Sequence, residues 1–239
     1  MSNISAQLPK YEILKEETSF DYIFKIIIIG DSCVGKSCLT LRACKDEFES
    51  CYTSTVGYDF FKMDVKINDK KINLQIWDTC GQEKFRSLIS NFYRNSSLAI
   101  IVYSIDNQNS YNNIGEWLNE IRELTNPDIK IFLIGNKSDL ANFRKISKQK
   151  AKSFCDENGI DYFTETSAKS GENVENTFAY AAYLLMKESI KQSNKNIRNI
   201  RNISEDRTNS HISFNFVEDE PSNLILDGSS TSHKRKCCS

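Results

Sequence analysis

Short apolar runs alternate along the chain with longer segments whose apolar residues recur at helical spacing. The short runs are rich in β-branched residues, as expected of strands buried on both faces of a sheet, and two of them flank a predicted hairpin turn at residues 68–70. The predicted strands cover residues 24–29, 60–67, 71–77, 98–103, 129–134 and 162–164. The predicted helices cover residues 35–45, 110–124, 147–157 and 173–191. We expect Asn109 or Ser110 to cap the second helix and Gly159 to close the third.

This alternation predicts an α/β fold, with a mostly parallel sheet, one antiparallel edge strand from the hairpin, and helices on both faces. Residues 1–21 are polar and mixed in character, and we expect a flexible arm there. Residues 22–190 carry the alternating pattern and form the predicted single domain. Residues 191–239 are rich in Asn, Ser and charge, which predicts a largely disordered tail.

Composition excludes several classes of function. Lys+Arg number 31 and Asp+Glu 32, so the net charge of −1 gives no electrostatic reason to expect nucleic-acid binding. The two histidines, His211 and His233, lie near the end of the chain, so the predicted domain cannot hold a Ser-His-Asp triad, a Cys-His pair or a histidine metal cage. No apolar run approaches the ~18 residues of a membrane helix, and we expect no secretory signal.

One motif indicates phosphate chemistry. Residues 30–37, GDSCVGKS, match G-x4-G-K-[ST] and stand between a buried predicted strand and a predicted helix. Glycines let the backbone wrap phosphates, and the N–H groups at the helix start face the negative charge. Lys36 is expected to reach the β- and γ-phosphates, and the Ser37 hydroxyl to reach Mg2+. The motif alone does not separate a GTPase from an ATPase or a small-molecule kinase.

Two further motifs favour guanine as the base. Asn136, Lys137 and Asp139 follow a predicted strand at its carboxyl end, where ligands bind in open α/β sheets. A carboxylate there can accept hydrogen bonds from guanine N1–H and N2–H2, which adenine does not offer. Residues 166–169, TSAK, end the next strand and could supply a backbone N–H to guanine O6. This order of motifs argues against an ATPase or a kinase.

In these motifs and their order the sequence resembles the Ras superfamily of small GTPases, and is most similar to the Rab family. The resemblance covers about residues 22–190 and implies a single P-loop GTPase domain. The segments that carry it are VGYDF at 56–60, LQIWDT at 74–79, KFRSL at 84–88, YR at 93–94 and VYSI at 102–105.

The resemblance implies a role for each matching residue. The phosphate-loop contacts correspond to Ser32, Cys33, Val34, Gly35, Lys36, Ser37 and Cys38. The base contacts correspond to Phe48, Asn136, Lys137, Asp139, Ser167, Ala168 and Lys169. The metal ligands correspond to Ser37, Thr55 and Asp78, with Asp78 normally acting through water. Gly81 matches the glycine whose N–H meets the γ-phosphate, and Gln82 the glutamine that orients the attacking water. Gln82, Lys36 and Thr55 are therefore the expected catalytic residues.

Two cysteines depart from the family pattern. Cys33 stands where Rabs usually have glycine, which bears on nucleotide exchange. Cys80 stands where they usually have alanine, beside the γ-phosphate, which bears on hydrolysis. The departures leave open a second hypothesis, a scaffold that holds GTP and barely hydrolyses it, although Gln82 argues against it. A redox-sensing role for either thiol is an alternative to a neutral substitution.

The resemblance also implies partners. An exchange factor, a GTPase-activating protein and effectors are expected at the two switch loops, which contain Thr55 and Gly81. Phe60, Trp77 and Phe92 match an aromatic triad that binds effectors. The alternative is that these three are ordinary packing aromatics. Cys237 and Cys238 match the doubly geranylgeranylated cysteines of Rabs, which implies an escort protein, a GDP-dissociation inhibitor and an anchor on the cytosolic face of an intracellular membrane, with a cytosolic pool. We expect a monomer.

Overall fold

The computed structural model describes residues 8–15, 19–49, 55, 57–81 and 92–209, of which 196–209 are described as backbone alone. Contacts between residues divide the chain into two units, residues 1–195 and 196–239. The first unit contains the sheet and the helices packed on it. In the second unit, the described residues 196–209 are helical.

Seven strands form one sheet among the described residues. They are β1 (Tyr11–Leu14), β2 (Tyr22–Ile29), β3 (Tyr58–Ile67), β4 (Lys70–Thr79), β5 (Leu98–Ser104), β6 (Lys130–Asn136) and β7 (Tyr162–Glu165). Their order is β1-β3-β4-β2-β5-β6-β7. The five strands from β4 to β7 are parallel, whereas β3 is antiparallel to β4 and β1 is antiparallel to β3. The predicted α/β fold with a mostly parallel sheet and an antiparallel edge is therefore confirmed.

Helices cover both faces of this sheet. They are α1 (Lys36–Lys45), α2 (Gln108–Asn112), α3 (Ile114–Leu124), α4 (Lys148–Asn158) and α5 (Val174–Asn209), and a 3-10 helix spans Ser138–Phe143. Alternate residues of β2 belong to separate apolar clusters, because successive side chains of a strand point to opposite faces. Ile26 and Ile28 pack with Phe178 of α5, and Ile27 and Ile29 pack with Trp117 of α3. No helix among the described residues has the length and apolar character needed to cross a membrane.

The amino-terminal segment differs from the prediction. Residues 1–21 were expected to form a flexible arm, but Tyr11–Leu14 is a strand in register with β3, with Tyr11 opposite Ile67. The Tyr11 hydroxyl also lies 2.8 Å from Glu175 Oε1 and 2.8 Å from Asn176 Oδ1, at the start of α5. The expectation of an arm is therefore wrong for this strand, which is stabilised by partners distant in sequence.

Two helix predictions also need correction. The segment predicted as one helix over 110–124 is two, α2 and α3, which meet at Asn113, and the cap is Asn107, whose side chain accepts from the N–H groups of Asn109 and Ser110. The last helix continues to Asn209, whereas the sequence predicted its end at residue 191 and a largely disordered tail beyond. Residues 210–239 lie outside the described residues. Gly159 closes α4 with a φ of 63°, as predicted.

Candidate nucleotide site

A cavity of about 320 Å³ opens at the carboxyl edge of the parallel strands. The loops that follow β2, β6 and β7 meet there, because parallel strands present their carboxyl ends at one edge of the sheet. Its lining includes fourteen residues predicted from the sequence, together with Glu49 and Thr79. The fourteen are Ser32, Cys33, Gly35, Lys36, Ser37, Cys38, Phe48, Thr55, Gly81, Asn136, Lys137, Asp139, Ala168 and Lys169.

The loop between β2 and α1 curls around the end of its own lysine. Lys36 Nζ donates to the carbonyl oxygens of Gly30 and Asp31, each at 2.8 Å. Burial lowers the pKa of Lys36 to about 8, since little water remains to solvate its charge. Gly35 has a φ of 94°, and a Cβ there would lie 2.5 Å from Asn136 Nδ2. The loop therefore holds a buried cation against its own backbone, and a buried cation close to a backbone loop suits a phosphate group.

Cys33 occupies a backbone conformation that favours glycine. Its φ is 62°, in the left-handed region, where a Cβ crowds the following carbonyl. The Cys33 carbonyl accepts a 2.7 Å hydrogen bond from Lys137 Nζ, and its exposed Sγ lies 3.6 Å from Ser32 Oγ. The substitution noted in the sequence thus adds local backbone strain as well as a thiol at the mouth of the cavity.

Three side-chain oxygens converge beside the phosphate loop. The Ser37 hydroxyl donates to Asp78 Oδ2, which leaves the Thr55 hydroxyl to donate to Ser37 Oγ over 2.8 Å. Asp78 is fully buried, and its Oδ1 has no hydrogen-bond partner among the described residues. Burial raises the pKa of Asp78 to about 6, although the bond from Ser37 opposes this shift. A buried carboxylate oxygen without a donor, next to two hydroxyls, fits a hard divalent cation such as Mg2+.

Gly81 approaches the phosphate loop, residues 30–37, closely. A Cβ on Gly81 would lie 2.4 Å from Lys36 Nζ and 2.5 Å from Ser32 N, so only glycine fits without displacement. Cys80 itself is buried, and its N–H donates to the Gly57 carbonyl over 2.9 Å. The end of β4 is thereby packed directly against the loop between β2 and α1.

The other end of the cavity is organised by side chains that follow β6. Asn136 Nδ2 donates to the Val34 carbonyl at 2.9 Å, and its Oδ1 accepts from the Ala168 N–H at 3.3 Å. Ser167 Oγ donates to Asp139 Oδ1 over 2.5 Å. The amide of Asn136 therefore joins all three loops, and the hydroxyl of Ser167 fixes the carboxylate available to a base.

An ion pair outside the cavity joins the loops that follow β6 and β7, which form the base end of the cavity. Arg144, which follows the 3-10 helix, donates to both carboxylate oxygens of Glu165, at 2.6 and 2.9 Å. Glu165 is buried and directly precedes Thr166, whose hydroxyl donates to Asn136 Oδ1 at 3.2 Å. Such a bidentate pair fixes both position and orientation, so it holds the two base-side loops at a set separation.

The predicted effector aromatics form a cluster on the sheet surface. Phe60 and Phe92 each contact Trp77, with ring centroids 5.1 and 5.2 Å apart. Tyr58 also belongs to the cluster, at 4.2 Å from Phe92, and was not predicted. Tyr58 and Phe60 are 45% and 41% exposed, whereas Trp77 is half-buried and packs against the core, so the cluster reaches from the core to the surface.

Not every predicted residue lines the cavity. Val34 belongs to the phosphate loop, but it is buried in the core. Ser167 and Asp78 do not line the cavity either, but each forms a hydrogen bond with a residue that does, Asp139 and Ser37 respectively. Gln82, Cys237 and Cys238 lie outside the described residues, so their assignments stay predictions. Sequence reasoning also missed Asp31, whose side chain contacts α3, because nothing in the motif distinguishes that position.

Comparison with known proteins agrees with this geometry. The family model described as Ras family matches residues 25–187. The chain is 47% identical over 173 residues to the Ras-related protein RABD2a of Arabidopsis thaliana, covering 72% of this chain and 82% of the relative. It is 40% identical over 220 residues to the Ras-related protein RIC1 of Oryza sativa subsp. japonica, covering 92% and 98%. It is 45% identical over 163 residues to the GTP-binding protein ypt3 of Schizosaccharomyces pombe, covering 68% and 76%. The chain is therefore a GTPase of the Rab family, within the Ras superfamily.

Proposed function

We propose that this GTPase acts as a GTP/GDP switch in vesicle-mediated membrane traffic, recruiting effectors when GTP is bound. Rab-family membership already implies exchange factors, activating proteins and effectors in general. The observation that carries the proposal is the aromatic cluster of Tyr58, Phe60, Trp77 and Phe92, in which Tyr58 and Phe60 are exposed. Trp77 and Asp78 are neighbours on β4, so the partner surface and the proposed metal site share one strand.

The proposed roles of the site follow from its geometry. Lys36 and the N–H groups of residues 32–38 bind the phosphates, and Asp139 accepts from guanine, oriented by Ser167. Ser37, Thr55 and Asp78 would hold Mg2+, which would supply positive charge to neutralise the phosphates. The Gly81 N–H faces the γ-phosphate, and Gln82 orients the attacking water. Phosphoryl transfer needs positioning and charge stabilisation more than covalent chemistry, which agrees with a domain that lacks histidine.

The switch follows from two contacts that GTP alone completes. Thr55 and Gly81 both line the cavity, Thr55 shortly before β3 begins and Gly81 shortly after β4 ends. A γ-phosphate joins both, and its loss on hydrolysis releases both, so partners that touch these segments distinguish GTP from GDP.

The proposed anchor lies at the end of the chain. We infer that Cys237 and Cys238 carry geranylgeranyl groups added after delivery by an escort protein, and that a GDP-dissociation inhibitor extracts the protein into the cytosol. Two lipid chains give stable binding where one is marginal, and the basic residues at 234–236 add roughly 1 kcal/mol each at an anionic leaflet.

A cell-fractionation experiment with the tagged full-length protein tests this function. The wild type should be found on an intracellular membrane, and intact-mass measurement of the extracted protein should show two lipid additions. The pair Cys237→Ser and Cys238→Ser should be cytosolic yet bind GTP. Phe60→Ala, the matched control, should keep the lipids and the membrane but lose GTP-dependent partners. A membrane-bound wild type without lipid would refute the anchor, and unchanged partner binding by Phe60→Ala would refute the surface.

A further inference from the structure

Helix α3 contacts the phosphate loop from outside the nucleotide cavity. Asn113 Nδ2 donates to Asp31 Oδ2 and Trp117 Nε1 donates to Asp31 Oδ1, each over 2.8 Å. Asn113 and Trp117 are four residues apart, so they lie on one face of the helix, and their two donors meet the two oxygens of a single carboxylate. We call this set of three residues the Asp31 clamp.

The clamp is rigid on the helix side. Trp117 is only 2% exposed and packs in the core cluster with Ile114, Leu118 and Ile121. Asn113 occupies the N-cap position of α3 without a side-chain capping bond, and its own N–H donates to the Asn109 carbonyl at 3.0 Å. Neither donor can follow the loop if the loop moves, so the helix sets the position of the Asp31 side chain.

The main chain of Asp31 sits where the phosphate loop meets two other parts of the site. Its carbonyl accepts from Lys36 Nζ at 2.8 Å, so its position fixes one of the two backbone contacts of the buried lysine. A Cβ on Gly81 would lie 2.5 Å from the Asp31 carbonyl carbon and 2.5 Å from Ser32 N, so this backbone also forms the surface on which Gly81 rests. Displacing Asp31 therefore disturbs both the hydrogen bond of Lys36 and the packing of Gly81 against the loop.

We infer that Asp31, held by Asn113 and Trp117, is a positioning residue that sets the rate at which the bound guanine nucleotide is released. The inference rests on the nucleotide site proposed above. The carboxylate has no contact with the ligand in this scheme; it anchors the loop whose N–H groups and lysine hold the phosphates. Release requires that loop to open, and opening breaks both bonds of the clamp.

Release of fluorescent GDP from the full-length protein, chased with excess unlabelled GDP, tests the inference. Asp31→Asn keeps the shape but can accept only one of the two bonds, and Asp31→Ala accepts neither. We expect release to be about threefold faster for Asp31→Asn and about tenfold or more faster for Asp31→Ala, since hydrogen bonds to charged groups are among the stronger ones. Trp117→Phe, which keeps an aromatic ring but loses the N–H donor, should speed release by about threefold.

A double-mutant cycle separates positioning from general loss of stability. Trp117→Phe should have little further effect once Asp31→Ala is present, because the bond it removes is already gone. The controls are Ile121→Val and Ile121→Ala, two core substitutions on the same helix that bracket the expected stability loss without touching Asp31. Thermal unfolding of the GDP-bound forms measures that loss.

The outcomes distinguish the inference from the site on which it rests. Faster release that is coupled in the cycle and absent from the Ile121 controls supports the clamp. Release that is unchanged in Asp31→Ala, that is additive in the cycle, or that is equally fast in the Ile121 variants overturns it while the nucleotide site stands. A wild type that fails to bind fluorescent GDP overturns the proposed site and the clamp together.

Discussion

Ser167 Oγ donates to Asp139 Oδ1 over 2.5 Å, which leaves the other carboxylate oxygen and the remaining lone pairs facing the cavity. The bond fixes the direction in which Asp139 presents its charge. A base with two adjacent donors can hydrogen-bond to the carboxylate in that orientation, whereas a base without them leaves the carboxylate unpaired.

The Asp139→Asn substitution should therefore change the base preference. An amide offers one acceptor and one donor where the carboxylate offers two acceptors, which suits xanthine better than guanine. We expect GTP affinity to fall by about a hundredfold or more and xanthosine triphosphate to become the better competitor. Ser167→Ala is the matched control, because it should weaken GTP binding without reversing the preference. Wild-type GTP affinity in Asp139→Asn would show that another residue reads the base.

When the metal ion is removed, ionisation of Asp78 should make the free energy of unfolding depend on pH. The pKa of Asp78 is raised to about 6 by burial, whereas the unfolded chain releases its proton near the ordinary value of 3.8. Between these values the folded state holds the proton more tightly, so stability falls as the pH rises through this window and then levels off.

Urea unfolding of the GDP-bound protein in EDTA measures this effect. From about pH 4.5 to pH 7 the wild type should lose about 2 kcal/mol relative to Asp78→Asn, which cannot ionise. With saturating Mg2+ at pH 7 the wild type should instead be more stable than Asp78→Asn, since the charged carboxylate then has a partner. Parallel pH curves for the two proteins in EDTA would contradict the assignment.

The left-handed backbone at Cys33 predicts a stabilising substitution. Cys33→Gly removes the crowding at a φ of 62°, and this gain outweighs the greater freedom of glycine in the unfolded chain. We expect the free energy of unfolding to rise by roughly 0.5–1 kcal/mol in the GDP-bound protein. Cys33→Ala keeps the Cβ and should leave stability unchanged. A loss of stability in Cys33→Gly would mean that the thiol contributes packing that outweighs the strain.

The predicted role of Gln82 can be separated from the effect of Cys80. Gln82→Leu should leave GTP binding intact and slow single-turnover hydrolysis by about tenfold or more, because it removes the group that orients water. Cys80→Ala restores the residue usual in the family and should leave hydrolysis at least as fast as in the wild type. A wild type already as slow as Gln82→Leu would favour the GTP-holding scaffold.

The sequence predicted those features that local pattern determines. The isoleucine run of β2 and the apolar run of β5 are buried on both faces, so their composition identifies them as strands. The motif residues around the cavity were predicted because each group follows such a strand, and parallel strands bring their carboxyl ends together. Asn136 is the clearest example, since its position at the end of β6 places it against Val34.

The features missed depend on distant partners or on helix extension. Tyr11–Leu14 has no strand signal of its own and is ordered by β3 and by the contact of Tyr11 with α5. The extension of α5 to Asn209 lacks a sustained apolar stripe, but adding residues to an existing helix costs far less than starting one. The clamp on Asp31 joins residues 82 and 86 positions apart, which no local pattern reveals.

Strand β1 also determines which backbone groups at the edge of the sheet are free to pair with another chain. A strand with unpaired N–H and C=O groups is a template for intermolecular growth, and Asp64–Ile67 of β3 would be such a template without β1. The chain covers these four residues with its own strand β1, which is itself only four residues long, whereas β1 does not pair with the part of β3 before Asp64. A shortened version that begins at residue 22 would keep the whole nucleotide cavity and yet be more prone to self-association.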